Sequence, residues 1–452
     1  SDARELLAGA RVDLRDPATN LPLPRHIPAL EAIATYLGHH TLALAYAAAA
    51  LARPPHKTPE AVLARIRQTE VGAEGDLLAE FGEESLGTTY KLGLARSLGL
   101  LLDELATAAS PDPLALRLLG LAAYCDPSQI PVDLLVAAAG EDAGPVEKSL
   151  RALHERSIIA LAVSVSLHRL TQSLVRGRLT QQGGINGSAA LERLLDTLIE
   201  LFANPDRYER YAERTAAVLH VESVIARAES TAHTAKLASR AARLRADLSI
   251  HLWVTGQLVA ATQHIEKSIE WGESQSPRDE RSLAIDYASR ARIRQDRGDY
   301  LGAEADLKQS IEWGEKQSPR DERSLAILYA SRARIRQARG DYSGAEADLK
   351  QSIDWGESQS PRDERSLAIR YASRASIRQA RGDYSGAEAD LKQSIDWGEK
   401  QSPRDERSLA IWYASRAGIR QDRGDYSGAE ADLKQSIEWG EKQSPRDERS
   451  LA

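Results

Sequence analysis

Methionine is absent from all 452 residues, cysteine occurs once, and no apolar run approaches the length of a membrane span. The lone Cys125 excludes a disulfide framework and a cysteine-based zinc site, and it fits a reducing compartment. A transmembrane helix needs roughly 18 or more consecutive apolar residues; Ala43–Ala50 is apolar but far too short and too alanine-rich. No signal peptide is present either, so a cytoplasmic chain is expected. Neither GxxxxGK[ST] nor an apolar run ending in paired acids occurs. Without residues to cradle phosphates and hold magnesium, this chain is not expected to be an enzyme or to hydrolyse ATP. All ten histidines precede residue 265, which excludes histidine-based catalysis beyond it. A net charge of −7 argues against a general nucleic-acid binder. The missing initiating Met, and an ending on Arg449-Ser450-Leu451-Ala452 partway into another repeat, suggest a piece of something longer.

What is abundant is repetition. Trp271, Trp313, Trp355, Trp397 and Trp439 fall at a strict spacing of 42, each opening nearly the same phrase. A fixed period in this range marks a solenoid. Each unit holds two helical segments. The first, about Ser282 to Arg297, sets Leu283, Ala284, Tyr287, Ala288 and Ala291 on one apolar stripe. Gly298-Asp299-Tyr300 breaks it. The second, Gly302 to about Trp313, lines up Ala303, Leu307 and Ile311, and Gly314 with Ser318-Pro319 is expected to stop it.

Gly298-Asp299-Tyr300, with Ala303 and Leu307 behind it, resembles the inter-helix turn of a tetratricopeptide (TPR) repeat. The length of 42 resembles the long-helix version of kinesin light chains and bacterial signalling proteins. Arg290-Ala291 stands where the family has Leu-Gly, and Ser310 where it has a smaller residue. A HEAT-like pair is the other reading at this period, but it leaves the Gly-Asp-Tyr turn unexplained.

A second resemblance runs through the first half. Residues 1–7, then Ile27–Ala34, then Leu37-Gly38-His39-His40-Thr41-Leu42-Ala43-Leu44, are similar to the helical subdomain of NB-ARC-like STAND NTPases. Thr41 stands where that family places a proline beside adenine. Thr88–Leu105, Pro113–Cys125 and Ile130–Leu135 resemble the winged-helix domain that follows, with Glu147–Glu155 its third helix and Ile158–Val165 a strand or wing. Ser166–Gln172 matches the phrase whose histidine senses the phosphates of bound ADP, and His168 is in that register. Gln181–Gly187 reads as a linker by composition.

Together these imply an all-α fold with a small winged-helix β wing. A helical subdomain (1–60), a winged helix (84–180) and a helical connector (188–228) precede a right-handed α-solenoid. The solenoid comprises a degenerate TPR-like repeat (229–270) and four near-identical ones with the start of a fifth (271–452).

Candidate site residues are few. His39 and His40 point about 100° apart on a helix and have no third ligand nearby, so a metal is not expected. Cys125 reads as an inert core thiol. His168 is the candidate for nucleotide sensing, contingent on an upstream core; the alternative is an ordinary packed or capping histidine. Within the repeats, three first-helix positions vary: Asp286/Leu328/Arg370/Trp412, Arg292/Arg334/Ser376/Gly418, and Asp296/Ala338/Ala380/Asp422. At 100° per residue they share an arc of about 120°. If the first helix lines the groove, as in TPR solenoids, the ligand is expected along this arc, centred on Trp412, Leu328 and Arg370; drift at exposed sites is the alternative. Arg290, Arg294 and Arg297, matched by Glu304 and Asp306, read as an ion-pair ladder of exposed pairs. The repeated Trp reads as a packing anchor.

The favoured function is the sensor and regulatory portion of a bacterial-type STAND signalling protein. A protein or peptide ligand would bind the array, and the winged helix would relay this to an upstream nucleotide-binding domain. No cofactor is expected in this chain, with ADP or ATP belonging to a full-length protein. A ligand-induced oligomer fits the same build. The alternatives are a transcriptional regulator with DNA as partner, or a stand-alone TPR scaffold. Glu141, Asp142, Glu147 and Glu155 interleave with Lys148, Arg151, Arg156, Arg169, Arg176 and Arg178, so DNA is not the expected partner.

Overall fold

The computed structural model describes residues 2–8, 14–17, 19–37, 39, 41–52, 58–68, 88–107, 111–181, 187–203, 208–230, 235–401 and 404–442. His40, most of the 181–187 linker and the start of a fifth repeat lie outside them. The chain divides into two compact units, Ser1–His251 and Leu252–Ala452.

The first unit opens with α1 (Asp2–Ala8), α2 (Ile27–Tyr36), α3 (Thr41–Leu51), α4 (Pro59–Gln68) and α5 (Thr88–Thr107). Leu7, Leu30, Ile33, Leu44, Tyr46 and Ile66 are its buried centre. Next come α6 (Pro113–Ala122), β1 (Ile130–Pro131), α7 (Val132–Ala139), α8 (Ala143–Glu155), β2 (Ala160–Leu161) and β3 (Ser164–Ser166). Asp112 caps α6 by accepting the Ala115 N–H at 2.8 Å, and also accepts the Ser149 hydroxyl at 3.0 Å, which ties α6 to α8. The sheet is antiparallel in the order β1-β3-β2, with Ile130 opposite Val165, both fully buried. The last helices of this unit are α9 (Arg169–Gln181), α10 (Gly187–Phe202) and α11 (Tyr211–Ser230). Gln172 of α9 donates to the carbonyls of Ala122, at the end of α6, and Cys125, just beyond it, both at 3.0 Å, which ties α9 to the end of α6.

α12 (Ala235–Val254) and α13 (Leu258–Ser274) precede four helix pairs. These are α14 (Glu280–Asp296) with α15 (Tyr300–Lys316), α16 (Glu322–Ala338) with α17 (Tyr342–Ser358), α18 (Glu364–Ala380) with α19 (Tyr384–Lys400), and α20 (Glu406–Asp422) with α21 (Tyr426–Lys442). From α13 onward each helix packs on the next, and α18 also reaches α20. The result is an all-α solenoid of TPR-like pairs; among the described residues the only sheet is the small one in the first unit. No helix among them is long and apolar enough to cross a membrane.

The helices start earlier than hydrophobic periodicity suggests because aspartates cap them. Asp279 accepts the Ser282 N–H at 3.1 Å and its hydroxyl at 2.7 Å, and Asp299 accepts the Gly302 N–H at 2.9 Å. The Ser282 hydrogen bonds hold the Asp279 carboxyl below its ordinary pKa. Gly298 takes φ of +81°, the left-handed conformation a tight helix–helix turn requires.

Gly314 does not stop the second helix, which continues to Lys316. A Cβ there would lie 2.8 Å from Leu325 Cδ2 of the next pair, so glycine admits the following helix. Ser310, too, is structural: its hydroxyl donates to the Ala284 carbonyl at 2.7 Å, and Ser352 repeats this on Ala326 at 2.6 Å.

The arginine ladder has two parts, one of them buried. Arg290 binds Asp306 in bidentate fashion at 2.9 and 2.7 Å, and Arg294 adds a bond at 2.8 Å. Asp306 is 2% exposed, so this is a desolvated cluster rather than the exposed pair the sequence suggests. Arg332 and Arg336 repeat it on Asp348, Arg374 and Arg378 on Asp390, and Arg416 and Arg420 on Asp432. Glu304 joins neighbouring pairs, accepting from Arg336 at 2.8 Å and from Arg339.

Candidate functional site

The varying positions separate into two groups. The first group is at the junctions between helix pairs. Asp286 accepts the Ser268 hydroxyl of α13 at 2.7 Å. Leu328 packs against Ala291, Ala303, Leu307 and Ile335. Arg370, 9% exposed, donates to the Ser352 carbonyl at 3.0 Å and lies 5.8 Å from the Trp355 ring centre. Burial pushes its pKa below the ordinary arginine value. Trp412, 6% exposed, meets Trp397 edge-on with ring centroids 6.2 Å apart. The expectation that Trp412, Leu328 and Arg370 stand at the centre of an open groove is therefore corrected. An arc of 120° is wide enough to run from solvent into the joint, and these residues occupy its inner edge.

The second group is exposed. Arg292, Arg334, Ser376, Asp296 and Asp422 are all solvent-accessible, and Gly418 is half-buried. They share their face with a residue type that repetition concealed. Ile285, Ile327, Ile369 and Ile411 are 60%, 44%, 51% and 53% exposed. One exposed isoleucine is ordinary. Four at the same position of four successive first helices form a row, because those helices lie side by side. Gln337 donates to Ser376 at 3.0 Å and Gln379 to Asp422 at 2.9 Å, while Trp253 Nε1 donates to Asp296 at 2.6 Å. One turn before each isoleucine stands an exposed arginine: Arg281, Arg323, Arg365 and Arg407. Arg365 approaches Asp405, the cap of the next first helix, to 3.6 Å. Lys308, on the second helices, is 69% exposed in the side chain and belongs to a different face.

The signal for this face was present in the sequence: Ile285 lies off the apolar stripe that begins at Leu283, yet is apolar in all four copies. Invariance hid it, since attention to differences between repeats passes over a residue that never changes.

In the first unit, a recess of about 830 Å³ is lined by Leu42 and Tyr46 of α3, Ile158 and Ile159, and His154, His168 and Arg169. Tyr46 and Thr171 share a hydrogen bond of 2.5 Å beside it. His168 is exposed at the start of α9, and its Nδ1 accepts the Leu170 N–H at 3.2 Å. That makes it a capping histidine in this structure and leaves Nε2 as its N–H donor. His39 is exposed with φ of +56°, and no cluster able to hold a metal occurs among the described residues. Cys125 is buried, and burial, with the neighbouring Asp126 charge, pushes its thiol up to about 12, consistent with an inert core residue.

No family model matches the chain, and no curated protein matches it. Among solved structures it is similar to a putative kinesin light chain from Podosopora anserina with nearly identical TPR-like repeats (24% identity, 44% of this chain and 95% of that one, TM-score 0.39). It is also similar to a STAND protein with a tetratricopeptide repeat sensor from Pyrococcus horikoshii (13% identity, 88% of this chain and 59% of that one, TM-score 0.38). A third is YrrB, a TPR protein with an unusual peptide-binding site (10% identity, 44% of this chain and 87% of that one, TM-score 0.34).

Proposed function

We propose that this chain is the ligand-sensing and regulatory portion of a STAND-type signalling protein, with a protein or peptide bound on the exposed face of its first helices. The observation that carries the binding role is the isoleucine row. An array that buries Leu283, Ile293, Leu307 and Ile311 almost completely leaves four isoleucines half in water at one repeated position. A regular row of exposed apolar side chains supports an interaction site on this face.

The regulatory half of the reading draws on the first unit. The order α6-β1-α7-α8-β2-β3 supports reading this part as a winged helix. His168 and Arg169, at the start of α9 and beside the apolar recess, supply donors suited to a phosphate. A nucleotide held there by an upstream domain would add a charge that differs between its di- and triphosphate forms. Thr41 offers no proline to pack against adenine. The alternative of DNA binding finds less support. On α8, Arg151 pairs with Glu147 at 3.3 Å, while Arg178 pairs with Asp103 and Arg176 donates to the Ala123 carbonyl.

The reading is tested by selecting peptides from a random display library on the whole chain. Binders should lose affinity at least tenfold for an Ile327→Glu/Ile369→Glu variant. Binders indifferent to that variant but sensitive to changes at Lys308 or within residues 1–251 overturn it.

A further inference from the structure

The face that carries the isoleucine row also carries arginines. Six arginines lie on it: Arg281, Arg323, Arg365, Arg407, Arg292 and Arg334. Against them stand Asp296 and Asp422, and beside Arg281, Arg323 and Arg365 the cap aspartates Asp321, Asp363 and Asp405, in a chain of net charge −7. Three of these arginines run beside aspartate caps: Arg365 approaches Asp405, and the charges of Arg281 and Arg323 help lower the pKa of Asp321 and Asp363, behind the Ser324 and Ser366 hydrogen bonds. Among the described residues, Arg292 and Arg334 have no such partner and form no ion pair. Asp296, one turn beyond Arg292, is engaged by Trp253 instead, and the corresponding residue beyond Arg334 is Ala338.

The face is polarised along the array. On α14 and α16 the varying position carries Arg292 and Arg334; on α18 and α20 it carries Ser376 and Gly418. A Cβ built on Gly418 meets only the Gln379 amide at 4.0 Å, so the surface beside Ile411 is open. One end thus offers uncompensated guanidinium groups flanking isoleucine, and the other offers isoleucine with space beside it.

We infer that the ligand is an acidic, partly apolar polypeptide segment. Its carboxylates lie against Arg292 and Arg334, and its bulky apolar side chains lie against Ile369 and Ile411. This rests on the first-helix face being the ligand surface and adds the chemistry of the ligand and its placement. Arginine matches carboxylates in a planar, bidentate geometry, and complementary charge governs partner choice and association rate more than it governs total affinity.

Three dye-labelled peptides test this by fluorescence anisotropy on the whole chain: EEDEEGLFLF, SSTSSGLFLF and KKRKKGLFLF. At low salt the acidic peptide should bind at least tenfold tighter than the uncharged one, and the basic peptide most weakly. The acidic advantage should shrink as salt rises. An Arg292→Ala/Arg334→Ala variant should erase that advantage while leaving the uncharged peptide's affinity within about twofold. An Ile369→Ser/Ile411→Ser variant should weaken both peptides. If acidic and uncharged peptides bind equally and both are lost in the isoleucine variant, the face stands and its acidic ligand is refuted. If binding is indifferent to the isoleucines, the face itself is refuted. If none of the peptides binds, the ligand class is wrong.

Discussion

Replacing Trp412 separates a junction residue from a ligand-binding one. Its side chain is 6% exposed, belongs to the buried cluster that includes Leu391, Ile395, Leu409, Tyr413 and Trp439, and meets Trp397 edge-on. Gly398 leaves room for it: a Cβ there would stand 3.0 Å from Trp412 Cζ3. Trp412→Ala therefore opens a cavity that neighbours already held by Leu409 and the Arg416–Asp432 pair cannot fill. Truncation of a buried tryptophan costs about 3–5 kcal/mol, the Trp397 contact included. Because helix pairs contact mainly their neighbours, the loss is expected to be local to α18–α21 rather than spread over the chain. Amide hydrogen exchange reads it directly. Protection in α20 should fall by roughly two to three and a half orders of magnitude, at 1.4 kcal/mol per tenfold. Protection in α14 should be unchanged. Trp412→Asp should be worse, although aspartate is native at 286. There Ser268 donates to the carboxylate, whereas its counterpart Ser394 is committed to the Ala368 carbonyl at 2.8 Å. Protection in α20 within tenfold of the parent chain for Trp412→Ala would refute the junction assignment.

Asp348→Ala leaves Arg332 half-buried without its carboxylate, while Arg336 keeps Glu304 and Asp341, and by the cost of breaking a desolvated pair the α16–α17 unit should lose about 3–5 kcal/mol, read by urea titration of local exchange. Gly356→Ala sets a Cβ 2.7 Å from Leu367 Cδ2 and 3.0 Å from Arg370 Nη1, so overpacking should cost about 1–3 kcal/mol and lower the melting temperature. The pKa of Glu346 is held below the ordinary 4.5, first by the Arg378 hydrogen bond and then by the Arg378 and Arg381 charges; Glu304 is likewise lowered, its Arg336 and Arg339 partners outweighing the opposing effect of burial. A depressed folded pKa contributes stability above the unfolded value and loses it as pH falls through the folded one. Thermal stability should thus drop below about pH 4.5, and Glu304→Gln/Glu346→Gln should flatten that drop.

The period of 42, the two helices per unit and the glycine turn were legible in the sequence because each rests on local chemistry: spacing, Gly298, and the apolar stripe. The Arg–Asp rows were also legible, but not their burial, since Asp306 reads the same in water or in a joint. Trp412 was misplaced for a related reason. Helical angle fixes which residues are neighbours on a cylinder, not where the next helix touches it; that depends on Gly398 and Gly356 drawing the following helix close. The isoleucine row shows the converse. Ile285 sits between the buried Leu283 and Ala291, and only the packing of the neighbouring helices decides that it stays in solvent.

The most direct test of the ligand face is photo-crosslinking. A peptide selected on the whole chain, carrying a benzophenone side chain, is irradiated in complex and the adducts are mapped by mass spectrometry. Adducts should fall on α14, α16, α18 and α20, at residues flanking Ile285, Ile327, Ile369 and Ile411. Adducts concentrated around Lys308, Lys350 and Lys392 on the second helices, or within residues 1–251, would contradict it.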